Sequence, residues 1–459
     1  MTSRRRSNLG DGARRFLLAA LFLAALAIPR TAGATVAAPY GLAARPAAAP
    51  YLQMPEQAGE PLPRRLSQTG VFKDLAALVP SDALIPYELV VPFWSDGAAK
   101  MRWVAVPTGQ KIRFAATGEW SFPRGTVFVK TFLLATNEAN PRSLRRLETR
   151  LLVCAADGGV YGAVYKWRAD NRDADLLATN LTENITITTA SGARTQAWYY
   201  PSREDCLTCH TATAGYVLGV KTRQLNRRCA YPSGVTDNEL RSWNHLGLFD
   251  TNLDENALAG YPTLAASDDL TRSLADRARS YLDANCAQCH RPQGTVAYFD
   301  ARYDTPLERQ SLIDGPVLID ERIDHSRVIA PNDLWRSILY MRANTTEAFK
   351  MPPLARNTVD TRGMTLLRQW IESLPGPPVL PPPEISPAGG TYAGPVTVTL
   401  KSEPGAVIRY TLDGTVPTTS DFLYEQPVVV SGPAILRARA FMPGHTKSIT
   451  AQQIYMVGN

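Results

Sequence analysis

Two short runs constrain this chain more than anything else in it: Cys206-Leu207-Thr208-Cys209-His210 and Cys286-Ala287-Gln288-Cys289-His290. Each is a C-x-x-C-H, the attachment signature of a c-type haem. Two thiols one helical turn apart suit the two vinyl groups of a porphyrin, and the adjacent His lies under the iron as its proximal ligand. A zinc ribbon pairs its C-x-x-C knuckles about 15–20 residues apart, whereas these begin at 206 and 286. A thioredoxin-like C-x-x-C follows a strand in a βαβ pattern, which neither copy does. The expectation is two covalently attached haem c groups, on Cys206/Cys209 and Cys286/Cys289, with His210 and His290 as iron ligands. Cys154 and Cys229 are left over, either as a disulfide or as free thiols.

A secretory leader agrees with that chemistry. Residues 1–34 begin with Arg4, Arg5 and Arg6, continue in an apolar run from Phe16 to Ile28, and end at Ala32-Gly33-Ala34. This reads as a signal peptide and implies a periplasmic or extracellular protein. Its apolar run is too short to span a bilayer, and no later stretch is longer, so no transmembrane segment is expected after cleavage. Of the 49 Lys and Arg and 42 Asp and Glu, the leader holds six Arg and one Asp, which leaves 43 against 41. That balance carries no concentrated basic face and excludes nucleic acid as a partner.

Periodicity divides the rest. Residues 35–65 are Ala- and Pro-rich and read as a flexible lead-in. Residues 66–202 read as an antiparallel β-domain, with β-branched or aromatic runs at Thr126–Leu134, Leu147–Val153, Val160–Trp167, Ile185–Thr189 and Ala197–Tyr200. Trp198, Tyr199 and Tyr200 either approach a porphyrin or fill the sheet core. Residues 203–266 hold the first motif. In 267–376, Leu274, Ala278, Tyr281 and Leu282 share one helical face that runs into Cys286. Leu366, Leu367, Trp370, Ile371 and Leu374 form a second stripe opened by Asp360 as N-cap. This segment reads as an α-helical cytochrome c domain. Residues 377–383 are a Pro-rich linker, and 384–459 alternate as short strands of a β-sandwich, with Asp413-Gly414 as a turn. The predicted class is multidomain α+β: an N-terminal antiparallel β-domain, an α-helical cytochrome c domain and a C-terminal immunoglobulin-like β-sandwich.

A sixth iron ligand is either soft or an imidazole. Met351, 61 residues after His290 and followed by Pro352-Pro353, sits in an extended segment that can aim a thioether at an iron. It is the candidate opposite His290. For the first haem the candidates are His245 and Met101, with an open iron as the alternative.

The chain resembles a family of bacterial two-haem c-type cytochromes with a chitobiase-like C-terminal module. The resemblance rests on Tyr200–His210 with Leu218–Asn226, on Ala278–Pro292, on Val328–Pro331 and on Lys350–Leu354. It implies covalent haem at both motifs and Met351 opposite His290, without an established substrate. Separately, Val407–Thr418 and Ile435–Phe441 are similar to the C-terminal domain of chitobiases and hexosaminidases, an immunoglobulin-like appendage. No supported carboxylate pair for sugar hydrolysis accompanies it. The expectation is an exported protein transferring single electrons between redox partner proteins. The alternatives are a haem oxidoreductase, peroxidase-like or a dehydrogenase, with an open first haem, and a surface or polysaccharide-binding module that contacts carbohydrate or the cell surface.

Overall fold

Valine, isoleucine, threonine and aromatic runs form the backbone of this computed structural model, which describes residues 39–44, 50–140 and 142–458. The leader expected at 1–34 lies outside the described residues. A small ribbon pairs β1 (Phe72–Asp74) with β2 (Val79–Pro80). The main sheet runs in chain order through β3 (Ile85–Pro86), β4 (Ala99–Ala105), β5 (Val127–Ala135), β6 (Leu144–Cys154), β7 (Val160–Trp167) and β8 (Ala174–Leu176), every pair antiparallel.

β5 and β7 are apolar on both faces because both faces are covered. Val127 and Val129 point to one side, with Trp103, Leu151 and Tyr165. Residues 50–65 lie across this side: the Tyr51 hydroxyl donates to the Ala105 and Gly125 carbonyls, and Tyr165 donates to that of Pro63. Phe128 points to the other side, where Val104, Trp120 and Trp243 bury against it. A hairpin of β9 (Leu181–Thr189) and β10 (Gly192–Tyr200) caps the end of the sheet, with Ile185, Ile187 and Trp198 packed on Phe132 and Leu147.

Beyond β10 the helices are few and short. They are α1 (Arg203–Leu207), α2 (Thr222–Leu225), α3 (Glu239–His245), α4 (Leu274–Cys286), α5 (Ile338–Ala343) and α6 (Thr361–Glu372), with a ribbon of β11 (Arg228–Ala230) and β12 (Thr236–Asn238) before α3. Both apolar stripes of the sequence are helices here. Asp360 caps α6 by accepting from the Gly363 amide, and a Cβ at Gly363 would lie 2.4 Å from the Tyr281 ring, so only glycine lets α4 and α6 approach this closely.

The α-helical cytochrome c domain expected over 267–376 is nevertheless not what forms. Twenty strands stand against six α-helices among the described residues, and only two of those helices exceed seven residues. Between α4 and α5 the chain turns repeatedly, with left-handed backbone at Gln293, Ser311, Asp314, Glu321, Arg322, His325 and Asn332. Ser311, Asp314 and Asn332 are among these positions, and such side chains compete with a helical hydrogen-bond ladder. The chain is mostly β, and the α+β reading is corrected accordingly.

The C-terminal sandwich has the expected form. One sheet orders β13 (Glu384–Ser386), β15 (Val396–Lys401) and β18 (Val428–Val430). The other orders β14 (Gly390–Tyr392), β20 (Ala451–Val457), β19 (Ala434–Phe441), β16 (Val407–Thr411) and β17 (Phe422–Leu423). Strict alternation on β15 sends Val396, Val398 and Leu400 inward against Leu436 and Tyr455. The Pro-rich linker is packed: Leu380 is buried, and its amide donates to the Thr446 carbonyl.

One carboxylate joins the sandwich to the preceding segment. Asp324 faces three cations, Arg439 at 3.0 Å, Arg336 at 3.5 Å and Lys447 at 3.9 Å, and Arg336 also donates to the Lys447 and Ser448 carbonyls. Asp324→Asn leaves two buried guanidiniums facing each other and is expected to destabilise the protein by about 2 kcal/mol, below the fully buried value because Asp324 is partly exposed. Urea denaturation reads the loss, and a wild-type midpoint would contradict this docking.

Candidate functional site

The first motif begins where β10 ends. Ser202 caps α1 by accepting from the Asp205 amide, while Asp205 accepts from the Ser202 amide and from the Tyr199 hydroxyl at 2.6 Å. This reciprocal cap explains a helix of only five residues. α1 lies directly on β7, where a Cβ at Gly162 would stand 2.6 Å from the Cys206 sulfur. The second motif ends the longer α4.

Both motifs then make the same turn. The amide of His210 donates to the Cys206 carbonyl at 3.0 Å, and that of His290 to the Cys286 carbonyl at 2.9 Å. Two cysteines and a following histidine are thereby held in one turn twice over.

Each turn opens onto a cavity. The first, of about 1610 Å³ including its mouth, is lined by Cys206, Cys209, His210, Phe128, Trp198 and Tyr199 among others. The second, of about 1180 Å³ including its mouth, is lined by Cys286, His290, Met351, Phe299, Trp94 and Tyr281 among others. Phe93, Pro352 and Leu354 line both, so the two cavities share a wall. The Cys209 and Cys289 thiols are close enough to interact, which raises the pKa of Cys209 and lowers that of Cys289.

The histidines are neutral. Burial holds both imidazoles down to about 4, helped at His210 by the positive charges of Lys130 and Arg150 and at His290 by that of Arg342. His210 Nδ1 lies 2.6 Å from the Tyr216 carbonyl, which accepts its proton and leaves Nε2 with the lone pair. His290 stacks on Phe299 at 4.3 Å, and its Nδ1 is buried without a partner among the described residues. Burial also pushes the Cys286 thiol up to about 12 and raises that of Cys206.

Met351 stands in the second cavity together with His290. The candidates for the first cavity do not line it. His245, at the end of α3, is exposed and stacks on Tyr40 at 3.7 Å. Met101, on β4, is 37% exposed. His210 is the sole histidine of the first cavity's lining, and no methionine joins it. Trp198 and Tyr199 line that cavity, while Tyr200 is a core residue whose hydroxyl donates to Glu183. Cys154 and Cys229 are free, as are the motif cysteines.

Sequence reasoning missed the polar wall of the first cavity. Lys130 on β5 and Arg150 on β6 line it, with Arg150 held by a bidentate contact to buried Glu148 at 2.6 and 3.0 Å. Alternation along β5 marks Lys130 as facing the same side as Phe128 and Phe132, but nothing in the sequence says that this side meets the first motif.

Residues 387–452, within the β-sandwich, match the family model of the chitobiase/beta-hexosaminidase C-terminal domain, which that domain is similar to. No curated protein and no solved structure matches the chain. The match falls outside both motif segments, and a cytochrome family is not among what it supports. Among the described residues, no group of three or more His, Cys, Asp or Glu side chains is gathered to hold a metal ion. The reading of the chain as a haem-bearing cytochrome c is corrected: the fold is mostly β, the family match lies in the C-terminal domain alone, and the described residues gather no metal-holding group. No described helix is long and apolar enough to cross a membrane.

Gly162→Ala is expected to displace α1 from β7 and cost about 1–3 kcal/mol, as overpacking does. Thermal unfolding, and faster alkylation of Cys206 in the haem-free protein, would read it. Wild-type behaviour on both would mean that α1 does not rest on the sheet.

Proposed function

We propose that the chain is an exported oxidoreductase bearing one covalently attached haem at each C-x-x-C-H turn, with the first cavity as the reaction site. The observation that carries this reading is the asymmetry of the two cavities. The second brings a thioether, Met351, together with His290, whereas the lining of the first offers His210 and neither a methionine nor a second histidine. An electron carrier closed at both sites needs a sixth ligand in each, so the asymmetry favours a reactive first site over the pure carrier.

The residues suit the group. The first turn presents Cys206, Cys209 and a neutral His210 to its cavity, which Cys289 also lines, and the second presents Cys286 and a neutral His290 whose Nδ1 is buried without a partner among the described residues. Haem, when bound, supplies one-electron redox chemistry and a position at which a small molecule reacts. The chain supplies the rest. The Tyr216 carbonyl holds the His210 proton on Nδ1 and orients the ring. Phe128, Trp198 and Leu218 exclude water from the first cavity, and Met351 occupies the second. The shared wall of Phe93, Pro352 and Leu354 keeps the two sites adjacent. The leader-like pattern of residues 1–34 supports export, and redox partner proteins exchange electrons at the second site.

A second reading concerns the C-terminal domain alone, as a surface or polysaccharide-binding module. It is favoured by the family match and by exposed Phe422, whose ring lies tilted beside that of Tyr410 at 5.5 Å. Loss of polysaccharide retention on deletion of residues 384–459 is its expected signature, and unchanged retention would sink it.

The main reading is tested by optical spectra of protein matured in the periplasm, oxidised and reduced, with and without cyanide. One of two haems is expected to be high-spin and cyanide-sensitive, and Met351→Ala should make the other respond as well. Two low-spin haems that both ignore cyanide would overturn the reaction-site assignment and leave a closed electron carrier.

A further inference from the structure

Three cations stand in one row across the sheet wall of the first cavity. Arg102 on β4 pairs in register with Lys130 on β5, and Lys130 with Arg150 on β6. Directly opposed side chains are about 5 Å apart at Cβ, and like charges in such positions repel. All three line the cavity.

The outer two are neutralised. Arg102 meets Glu88 at 3.0 Å, and Arg150 grips Glu148, which also accepts from the Trp198 indole at 3.0 Å. The middle one is not. Lys130 has no hydrogen-bonded or ion-paired partner among the described residues, and its nearest described contact is the Phe132 ring, 6.0 Å from the ammonium. A cation–π contact at that distance is weak and leaves three N–H donors unused.

The neighbouring carboxylates are already committed. Asp96 accepts from the amides of Asn357 and Thr358 at 2.8 Å each, and Asp205 from Tyr199 and from the Ser202 amide. Lys100, one pair along the sheet, adds another positive charge and donates only to the Ala98 carbonyl. Burial and the charges of Arg102, Arg150 and Lys100 hold the Lys130 ammonium down to about 7, and an anion entering the cavity stabilises its charged, hydrogen-bond-donating form.

We infer that Lys130, flanked by Arg150, is a carboxylate receptor in the wall of the first cavity. The inference goes beyond the haem reading, because it concerns charges the chain carries with or without a bound group. A carboxylate reaches Lys130 from one of two sources: a carboxylate arm of a group held on the first motif, or a free small carboxylate that enters as substrate. The chemistry of recognition is the same for both.

The test is calorimetric titration of full-length protein with acetate, in haem-free and haem-loaded forms. Lys130→Met is expected to weaken acetate at least tenfold in the haem-free form. Lys130→Arg, which keeps the charge, should retain binding, and Lys73→Met, at an exposed ion pair with Asp82, should change nothing. If the loaded protein still takes acetate with the same dependence on Lys130, the occupant is a free small carboxylate. If it refuses acetate and Lys130→Met instead shifts the midpoint potential of the first site, the carboxylate belongs to the bound group. Equal acetate binding by wild type and Lys130→Met, or none by haem-free wild type, overturns the receptor. Neither result depends on the cyanide response, so the two proposals fail separately.

Discussion

A buried network of charges holds the two motif-bearing turns against each other, and the arrangement of both cavities depends on it. Lys221, between the first motif and α2, reaches Asp283 on α4 at 2.9 Å and Glu119 of the β-domain at 3.7 Å. Glu119 in turn binds Arg291, the residue after His290, at 2.9 Å. Lys221, Asp283 and Arg291 are almost wholly inaccessible, so removing one partner strands a charge away from water at a cost of about 3–5 kcal/mol. Such networks specify geometry more than they add stability. Here the geometry is the apposition of Cys209 and Cys289.

Asp96 performs the same task from the other side. It is buried, and burial alone raises its pKa against the pull of its hydrogen bonds. By accepting from the amides of Asn357 and Thr358 it fixes the segment just after Met351 to the β-domain. Trp94 adds a second tie, its amide donating to Asn285 and its indole to the Thr358 carbonyl. The thioether of Met351 is therefore positioned by residues far from it in sequence. The sheet serves as a platform: one face packs residues 50–84, and the other carries the first motif and the cationic row.

Local signals in the sequence reached far in some places and stopped in others. The strands around Phe128, Leu151 and Tyr165 were legible because burial on both faces leaves long apolar runs, and α4 and α6 because their stripes have helical period. The two C-x-x-C-H runs and the Met351-Pro352 step could be singled out because each is a contiguous run, and the fold places Cys286, His290 and Met351 on one cavity. The cytochrome c domain expected over 267–376 was not what formed, since two helices and a motif leave the intervening chain undetermined, and that chain turns repeatedly through left-handed positions. His245 and Met101 were plausible by distance along the chain alone. Only the tertiary fold shows that one stacks on Tyr40 and the other faces outward. Lys130 became visible only through cross-strand register, which no local pattern contains.

The central claim is that each C-x-x-C-H turn carries its own covalent haem. Intact-mass measurement of protein matured in the periplasm tests it most directly, for wild type and for the double variants Cys206→Ala/Cys209→Ala and Cys286→Ala/Cys289→Ala. The account predicts the added mass of two haems in wild type and of one in each variant. A wild-type mass equal to that of the bare polypeptide would contradict it.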